Sequence, residues 1–324
     1  MKIKAIWLGV FLMMLLVLDG CIPQNKATEA NKAVSSGEQA YAVFKDDADR
    51  QVTLAKKPTK VVTLSTSLLN FVAAVNGNLA GRASVKAADA AIPDQYKALP
   101  EVGPVYNISS EKLVGLQPDL VLANKNQHDK LLPLLEANHI PVLIFSIKTY
   151  EDVKRSLLTI GKIYGQEDTA AGKIKEMDAE IAATVAKIPK QKLRIAIIHA
   201  TPSNVTVELK GSIAGSVADM LGFTNVAAEA ETAAGNQEKT PYSMEALVQQ
   251  DPQVIFITSM GEAGKIEARL KADVRSNPAW NSLTAVRKDK VYVLPENLFL
   301  LNPGLAYPAA VKFMAGVVYP EVFK

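Results

Sequence analysis

The feature that most constrains this chain is an internal duplication. The run Glu111-Lys-Leu-Val-Gly-Leu-Gln-Pro118-Asp-Leu-Val121 aligns position for position with Glu245-Ala-Leu-Val-Gln-Gln-Asp-Pro252-Gln-Val-Ile255. Each copy reads as a short helix with glutamate near its start, broken before a proline and followed by a buried apolar strand. The strands that open the two halves repeat as well: Val61-Val-Thr-Leu64 precedes Glu111 by the same stretch that separates Ile195-Ala-Ile-Ile198 from Glu245. A chain that repeats strand, helix and strand in this way builds α/β lobes with parallel sheets. Ligands of such lobes sit outside the C-terminal ends of the strands, which for two facing lobes is the cleft between them.

Between the halves, Ile174, Met177, Ile181, Val185 and Ile188 recur at steps of three and four, the pattern of one amphipathic helix. Gly165-Gln166 separates it from an earlier helix and Pro189 stops it. The expected organisation is an N-terminal lobe over residues 41–165, an interlobe helix over 166–189 and a C-terminal lobe over 190–324. A single long helix is a stiffer joint than strand hinges, so closure on ligand is expected to be small.

The N-terminus predicts the compartment. Lys2 and Lys4 precede an uncharged apolar run over residues 6–18, too short to span a bilayer and of the form of a signal peptide. The run leads into Leu18-Asp-Gly-Cys21, and Cys21 is the only cysteine in 324 residues, which rules out an intramolecular disulfide. Residues 22–40 are polar, aperiodic and read as a flexible tether. The formal net charge is +3, of which Lys2 and Lys4 carry two. A body so close to neutral has no electrostatic case for nucleic acid. No phosphate loop, dinucleotide fingerprint or paired-carboxylate constellation appears, and Gly211-Ser-Ile-Ala-Gly215 has the wrong order for a nucleophile elbow, so the chain does not read as an enzyme.

Three segments, SSEKLVGLQPDLVLAN, YSMEALVQQDPQVIFIT and WNSLTAVRKDKVYVL, together with the opening YAVFKDDADRQVTLAKKPTKVVTLS, resemble the substrate-binding lipoproteins of ferric-siderophore, heme and vitamin B12 ABC importers. Leu18-Asp-Gly-Cys21 is similar to the lipobox of that class, although Asp19 departs from the small or apolar residue usual there. The resemblance covers residues 41–324. It implies two Rossmann-like lobes joined by one backbone helix, a shallow ligand cleft, and an extracytoplasmic monomer anchored through acylated Cys21. It further implies a membrane permease and its ATPase as partners, with Glu111 and Glu245 docking onto permease arginines. Each of these glutamates also suits its helix N-terminus through the macrodipole.

The loops expected to line the cleft are residues 65–67, 105–109, 124–128, 199–210, 240–242, 260–262 and 296–302, and they hold few arginines. Highly anionic siderophores need clustered cationic donors, which favours heme, with ferric siderophore or corrinoid as alternatives and no resident cofactor. IPDQYKALPEVGPVYNISSEKL is most similar to the corresponding loop of Gram-positive heme-uptake lipoproteins. That likeness places Tyr106 where they carry an axial methionine and Met260 where they carry an axial histidine. A phenolate suits ferric heme. Tyr106 equally suits stacking on another planar ligand, and Met260 a packing role in the cleft wall. Lys125, His199, Lys210 and Tyr242 fall in the same loops, the lysines as partners for propionates. The three histidines, His128, His139 and His199, show no metal-ligand spacing.

The anchor is testable. Cys21→Ser is expected to shift the protein from the membrane fraction to the soluble exported fraction with ligand binding intact. Retention of an uncleaved precursor in the membrane fraction would point to a signal anchor instead.

Overall fold

A five-stranded and a six-stranded sheet, each flanked by helices, realise the duplication. The computed structural model describes residues 40–85, 92–125, 127–228, 237–300 and 303–323. Cys21 and the segments around it lie outside the described residues. A hairpin, β1 (Ala42–Lys45) and β2 (Gln51–Leu54), opens the body. The first sheet contains β3 (Val61–Thr63), β4 (Gly81–Ser84), β5 (Glu101–Pro104), β6 (Leu120–Asn124) and β7 (Val142–Phe145). Its spatial order is β5-β4-β3-β6-β7, and every pair is parallel. Its connections carry α1 (Thr66–Ala74), α2 (Ser110–Gly115) and α3 (Leu132–Ala137).

After α4 (Tyr150–Tyr164) and α5 (Glu167–Val185) comes the second sheet, with β8 (Arg194–Ala200), β9 (Val205–Glu208), β10 (Thr224–Asn225), β11 (Lys239–Pro241), β12 (Val254–Ser259) and β13 (Val291–Val293). The helices of this half are α6 (Ile213–Met220), α7 (Met244–Gln250), α8 (Ala263–Leu270), α9 (Thr284–Arg287), α10 (Glu296–Phe299) and α11 (Tyr307–Val318). The second sheet is parallel through β10, β8, β12 and β13, as expected, and gains two antiparallel-paired strands at one edge. β9 returns antiparallel on β8, and β11 is antiparallel to β9. The turn through Thr201-Pro-Ser-Asn204 is short enough to close a hairpin, and the Thr201 N–H donates to the Asn204 carbonyl at 3.0 Å to do so.

The duplication holds down to single hydrogen bonds. Val61 faces Leu120 across the first ladder, and Ile195 faces Val254 across the second. Before β3, the Asp119 carboxylate accepts the N–H groups of Thr59 and Lys60, both at 2.8 Å. Before β8, the Gln253 side chain accepts the N–H of Arg194 at 3.0 Å. Gln117 (φ 50°) and Asp251 (φ 40°) both adopt left-handed backbone just before their prolines, which ends each helix sharply. At Asp251 the cost of that conformation is offset by two bonds of 2.7 Å, from the N–H and the hydroxyl of Thr284.

Strand side chains alternate between faces, and both faces are apolar. Val61, Leu120 and Leu122 of the first sheet and Ile195, Ile197, Val254 and Phe256 of the second belong to one continuous core, which also takes in residues of α1, α4, α5, α6 and α11. The opposite faces pack into two smaller cores, one with Val62, Val121 and Leu113, the other with Ala196, Ile255 and Leu247. The break expected at Gly165-Gln166 falls there: Gly165 ends α4 in the left-handed region at φ 63°. The helix α5 stops at Val185, and tight turns from Lys187 to Thr184 and Ile188 to Val185 carry the chain on toward Pro189. It packs against α1 and α4 of the first half and α11 of the second. No helix among the described residues is long and apolar enough to cross a membrane.

Candidate functional site at the strand ends

The central strand pair of each sheet ends in a polar side-chain pair, and the two pairs occupy equivalent places in the duplication. In the first half, Asn124 donates its amide to the Ser65 hydroxyl at 3.1 Å. In the second, His199 Nδ1 and Thr258 Oγ1 are 2.9 Å apart. Parallel strands present these ends side by side, so polar groups gather at the edge of an otherwise apolar sheet.

The pair in the second half is extended by a buried carboxylate. The Thr258 hydroxyl donates to Glu208 Oε1 at 2.6 Å, which leaves its oxygen to accept from His199 Nδ1–H; that nitrogen is also 3.2 Å from Glu208 Oε1. His199 is 2% exposed and Glu208 1%. Burial pushes the Glu208 carboxyl up, but the hydrogen bonds from His199 and Thr258 outweigh it and hold the group below its ordinary value.

The loops beyond these pairs carry the exposed groups. After β5, Asn107 N–H donates to Pro104 O at 2.8 Å and Ser109 N–H to Val102 O at 2.7 Å, closing a tight turn. Gly103 sits at φ 110°, and a Cβ there would meet the Asn107 carbonyl at 2.8 Å, so the turn requires glycine. Tyr106 projects from this turn with 77% of its surface exposed. In the second half Met260 follows β12, with its N–H on the Ala200 carbonyl at 3.1 Å and 49% exposure. Tyr106 and Met260 therefore stand at the strand ends of opposite halves.

The other residues expected to contact ligand each have a partner within the chain. His199 is committed to Thr258 and Glu208 inside the fold. The Lys125 ammonium donates to the Asp47 carbonyl at 2.7 Å, tying its loop to the β1–β2 turn. Lys210 pairs with Asp219, in the last turn of α6, at 3.0 Å. Tyr242 packs against the outer core of the second half, its hydroxyl 3.5 Å from Met244 Sδ, and burial pushes its pKa up. The loops expected from the sequence contain Asn124 and Glu208 without singling them out, and Thr258 lies outside them. The duplication register, extended from the strands to their ends, aligns Ser65 with His199 and Asn124 with Thr258, and is the signal that finds them.

Glu111 and Glu245 are exposed in the first turns of α2 and α7. Both helices begin on a serine cap, Ser109 accepting from Lys112 N–H at 3.3 Å and Ser243 from Ala246 N–H at 3.2 Å. Among the described residues no group of three or more His, Cys, Asp or Glu side chains is placed to hold a bare metal ion.

Comparison with known proteins agrees with this geometry. Residues 61–298 match the family model described as periplasmic binding protein. The chain is 25% identical to the uncharacterized ABC transporter substrate-binding lipoprotein YvrC of Bacillus subtilis, over 100% of this chain and 99% of that protein. It is 28% identical to the Fe(3+)-citrate-binding protein YfmC of the same organism, over 88% of this chain and 87% of that one. Among solved structures, Staphylococcus aureus IsdE complexed with heme superposes with a TM-score of 0.68 at 17% identity, covering 80% of this chain and 98% of that chain.

The buried carboxylate makes a testable contribution to stability. Because its pKa is lowered on folding, the contribution is present above the ordinary value of 4.5 and is lost as the pH falls through the folded value. Glu208→Gln is expected to cost about 2 kcal/mol at neutral pH, measured by chemical denaturation. The gap between the two proteins should shrink on acidification below 4.5; a gap independent of pH would contradict an ionised Glu208.

Proposed function

This chain belongs to the periplasmic binding protein family, and on that premise we propose that it is the substrate-binding subunit of an ABC importer for iron complexes, with ferric heme as its ligand. It acts outside the cytoplasmic membrane, held there by an acyl anchor on Cys21, and hands its cargo to a permease and ATPase. The observation that carries the heme reading is Tyr106, a phenol 77% exposed at a strand end. A large aromatic in water at that place has no packing role to account for it, whereas a phenolate is a hard donor suited to ferric iron. Met260, exposed at the strand ends of the other half, supplies a soft thioether or an apolar contact for a macrocycle.

A second reading, ferric citrate, is favoured by one comparison. The Fe(3+)-citrate-binding protein YfmC is 28% identical over 88% of this chain, whereas the high-affinity heme uptake system protein IsdE is 21% identical over 71%. Titration of the purified protein separates the two: a Soret band on adding hemin supports heme, and saturable binding of ferric citrate without one supports the second reading.

Tyr106→Phe keeps the ring and removes the oxygen, so it separates ligation from stacking. It is expected to shift the Soret band and weaken hemin binding at least about tenfold, roughly 1.4 kcal/mol. An unchanged spectrum and affinity would leave stacking as the surviving role.

Docking is tested separately. Glu111→Arg combined with Glu245→Arg places like charges against permease arginines, at a cost of several kcal/mol as a rough estimate. Uptake by cells is expected to be lost while the purified variant keeps its ligand affinity; normal uptake would remove both glutamates from the interface.

A further inference from the structure

Two loops of the first half meet on one buried imidazole. His128, 2% exposed, follows β6, and its Nδ1 accepts the backbone N–H of Asn124 at 3.0 Å. Its Nε2 lies 2.9 Å from the carbonyl oxygen of Val105, the residue before Tyr106. A backbone N–H only donates and a carbonyl oxygen only accepts. The ring is therefore the neutral tautomer, with its proton on Nε2 and Nδ1 bare. The same loop is secured further by His128 N–H to Asn124 O at 3.1 Å and by the Asn124 amide on Ser65 Oγ and Gln127 Oε1. Among the described residues, His128 is the side chain that hydrogen-bonds Val105.

We propose that His128 is a positioning residue, which ties the turn bearing Tyr106 to the β6 loop while the ring is neutral and releases it when the ring takes up a second proton. Protonation converts Nδ1 into a donor facing the Asn124 N–H at 3.0 Å, which drives the ring from its buried seat and carries Nε2 away from the Val105 carbonyl. The turn after β5 meets the ring through the Val105 carbonyl. From the β6 loop, Asp129 is the charged neighbour that acts on the ring, while Lys125 directs its ammonium to Asp47 O. Burial lowers the imidazole pKa from its ordinary value of 6.5, against the Val105 carbonyl and Asp129, which raise it. The tie is accordingly present above 6.5 and is lost as the pH falls through the folded value. Its consequence for binding rests on the reading that Tyr106 contacts the ligand.

The test compares the full chain with His128→Gln and His128→Phe. Glutamine offers a donor to Val105 and an acceptor to Asn124 without titrating, and phenylalanine fills the space with neither. Amide hydrogen exchange over residues 104–109 and at Asn124, corrected for the intrinsic pH dependence, is followed without ligand between about pH 7.5 and about pH 5.5. The natural protein is expected to lose protection there at least about fivefold on acidification, His128→Gln to keep it, and His128→Phe to lack it throughout. Hemin affinity measured on the same three proteins should follow the same order. Equal pH responses in the natural protein and His128→Gln would overturn the proposal, as would nitrogen NMR of the natural protein showing the ring protonated at Nδ1 at neutral pH. If hemin fails to bind any of the three, the heme reading falls and the exchange data still decide the role of His128.

Discussion

Everything in this molecule hangs on the apolar layer between its two sheets. Side chains from the inner faces of both sheets fuse with α1, α4, α5, α6 and α11 into one core, so neither half has a private hydrophobic interior on that side. Polar contacts sit within the same layer. The buried Tyr307 ring lies 5.3 Å from Tyr150, with its hydroxyl 3.3 Å from the Lys148 carbonyl and 3.4 Å from that of Ile213. Tyr150 in turn donates its hydroxyl to Asp178 on α5 at 2.9 Å. Burial of each large side chain in such a layer contributes roughly 1.5–3 kcal/mol. Parting the halves would expose many of these residues at once and strand the tyrosine hydroxyls.

The fold was legible in the sequence because duplication and hydrophobic period are strong, redundant signals. The units beginning at Glu111 and Glu245 placed α2, β6, α7 and β12, and the three- and four-residue spacing of Ile174, Met177 and Ile181 placed α5. The mixed character of the second sheet was hidden, since Val205-Thr-Val-Glu208 alternates too briefly to distinguish a hairpin return from a loop. Direction is decided by the four residues of the turn before it and not by the strand itself.

The positions of the candidate residues were legible at the exposed points and obscure at the polar ones. Tyr106 and Met260 sit next to recognisable strand ends, so their location followed from topology. Lys125, Lys210, His199 and Tyr242 lie in equally plausible loops, but what a long or polar side chain does is settled by which acceptor lies within reach. The Asp47 carbonyl, Asp219, Glu208 and the outer core claimed them, and all four partners are remote in sequence or in a different element. The paired strand ends escaped notice for a different reason. Ser65 and His199, or Asn124 and Thr258, share a position and a hydrogen-bonding role while sharing no chemistry that an alignment of the two halves would score.

A rigid frame raises the question of how a partner could sense whether ligand is bound. Large lobe closure would have to part the common core, so the signal must be local. The turn after β5 is short: Tyr106 is followed by Ser109, the cap of α2, and then by the exposed Glu111. The Ser109 N–H is bonded to Val102 O, while the opposite side of the turn, at Val105, is held by His128. A ligand that loaded Tyr106 would act on the segment that leads into α2, which is held by the bonds of Asn107 to Pro104, Ser109 to Val102 and His128 to Val105. In the second half the link is looser, because Met260 and Glu245 belong to different connections of the sheet, Met260 following β12 and Glu245 preceding it. The two halves are symmetric in architecture but not in these connections: Tyr106 and Glu111 share one connection in the first half, whereas Met260 and Glu245 lie on different ones in the second.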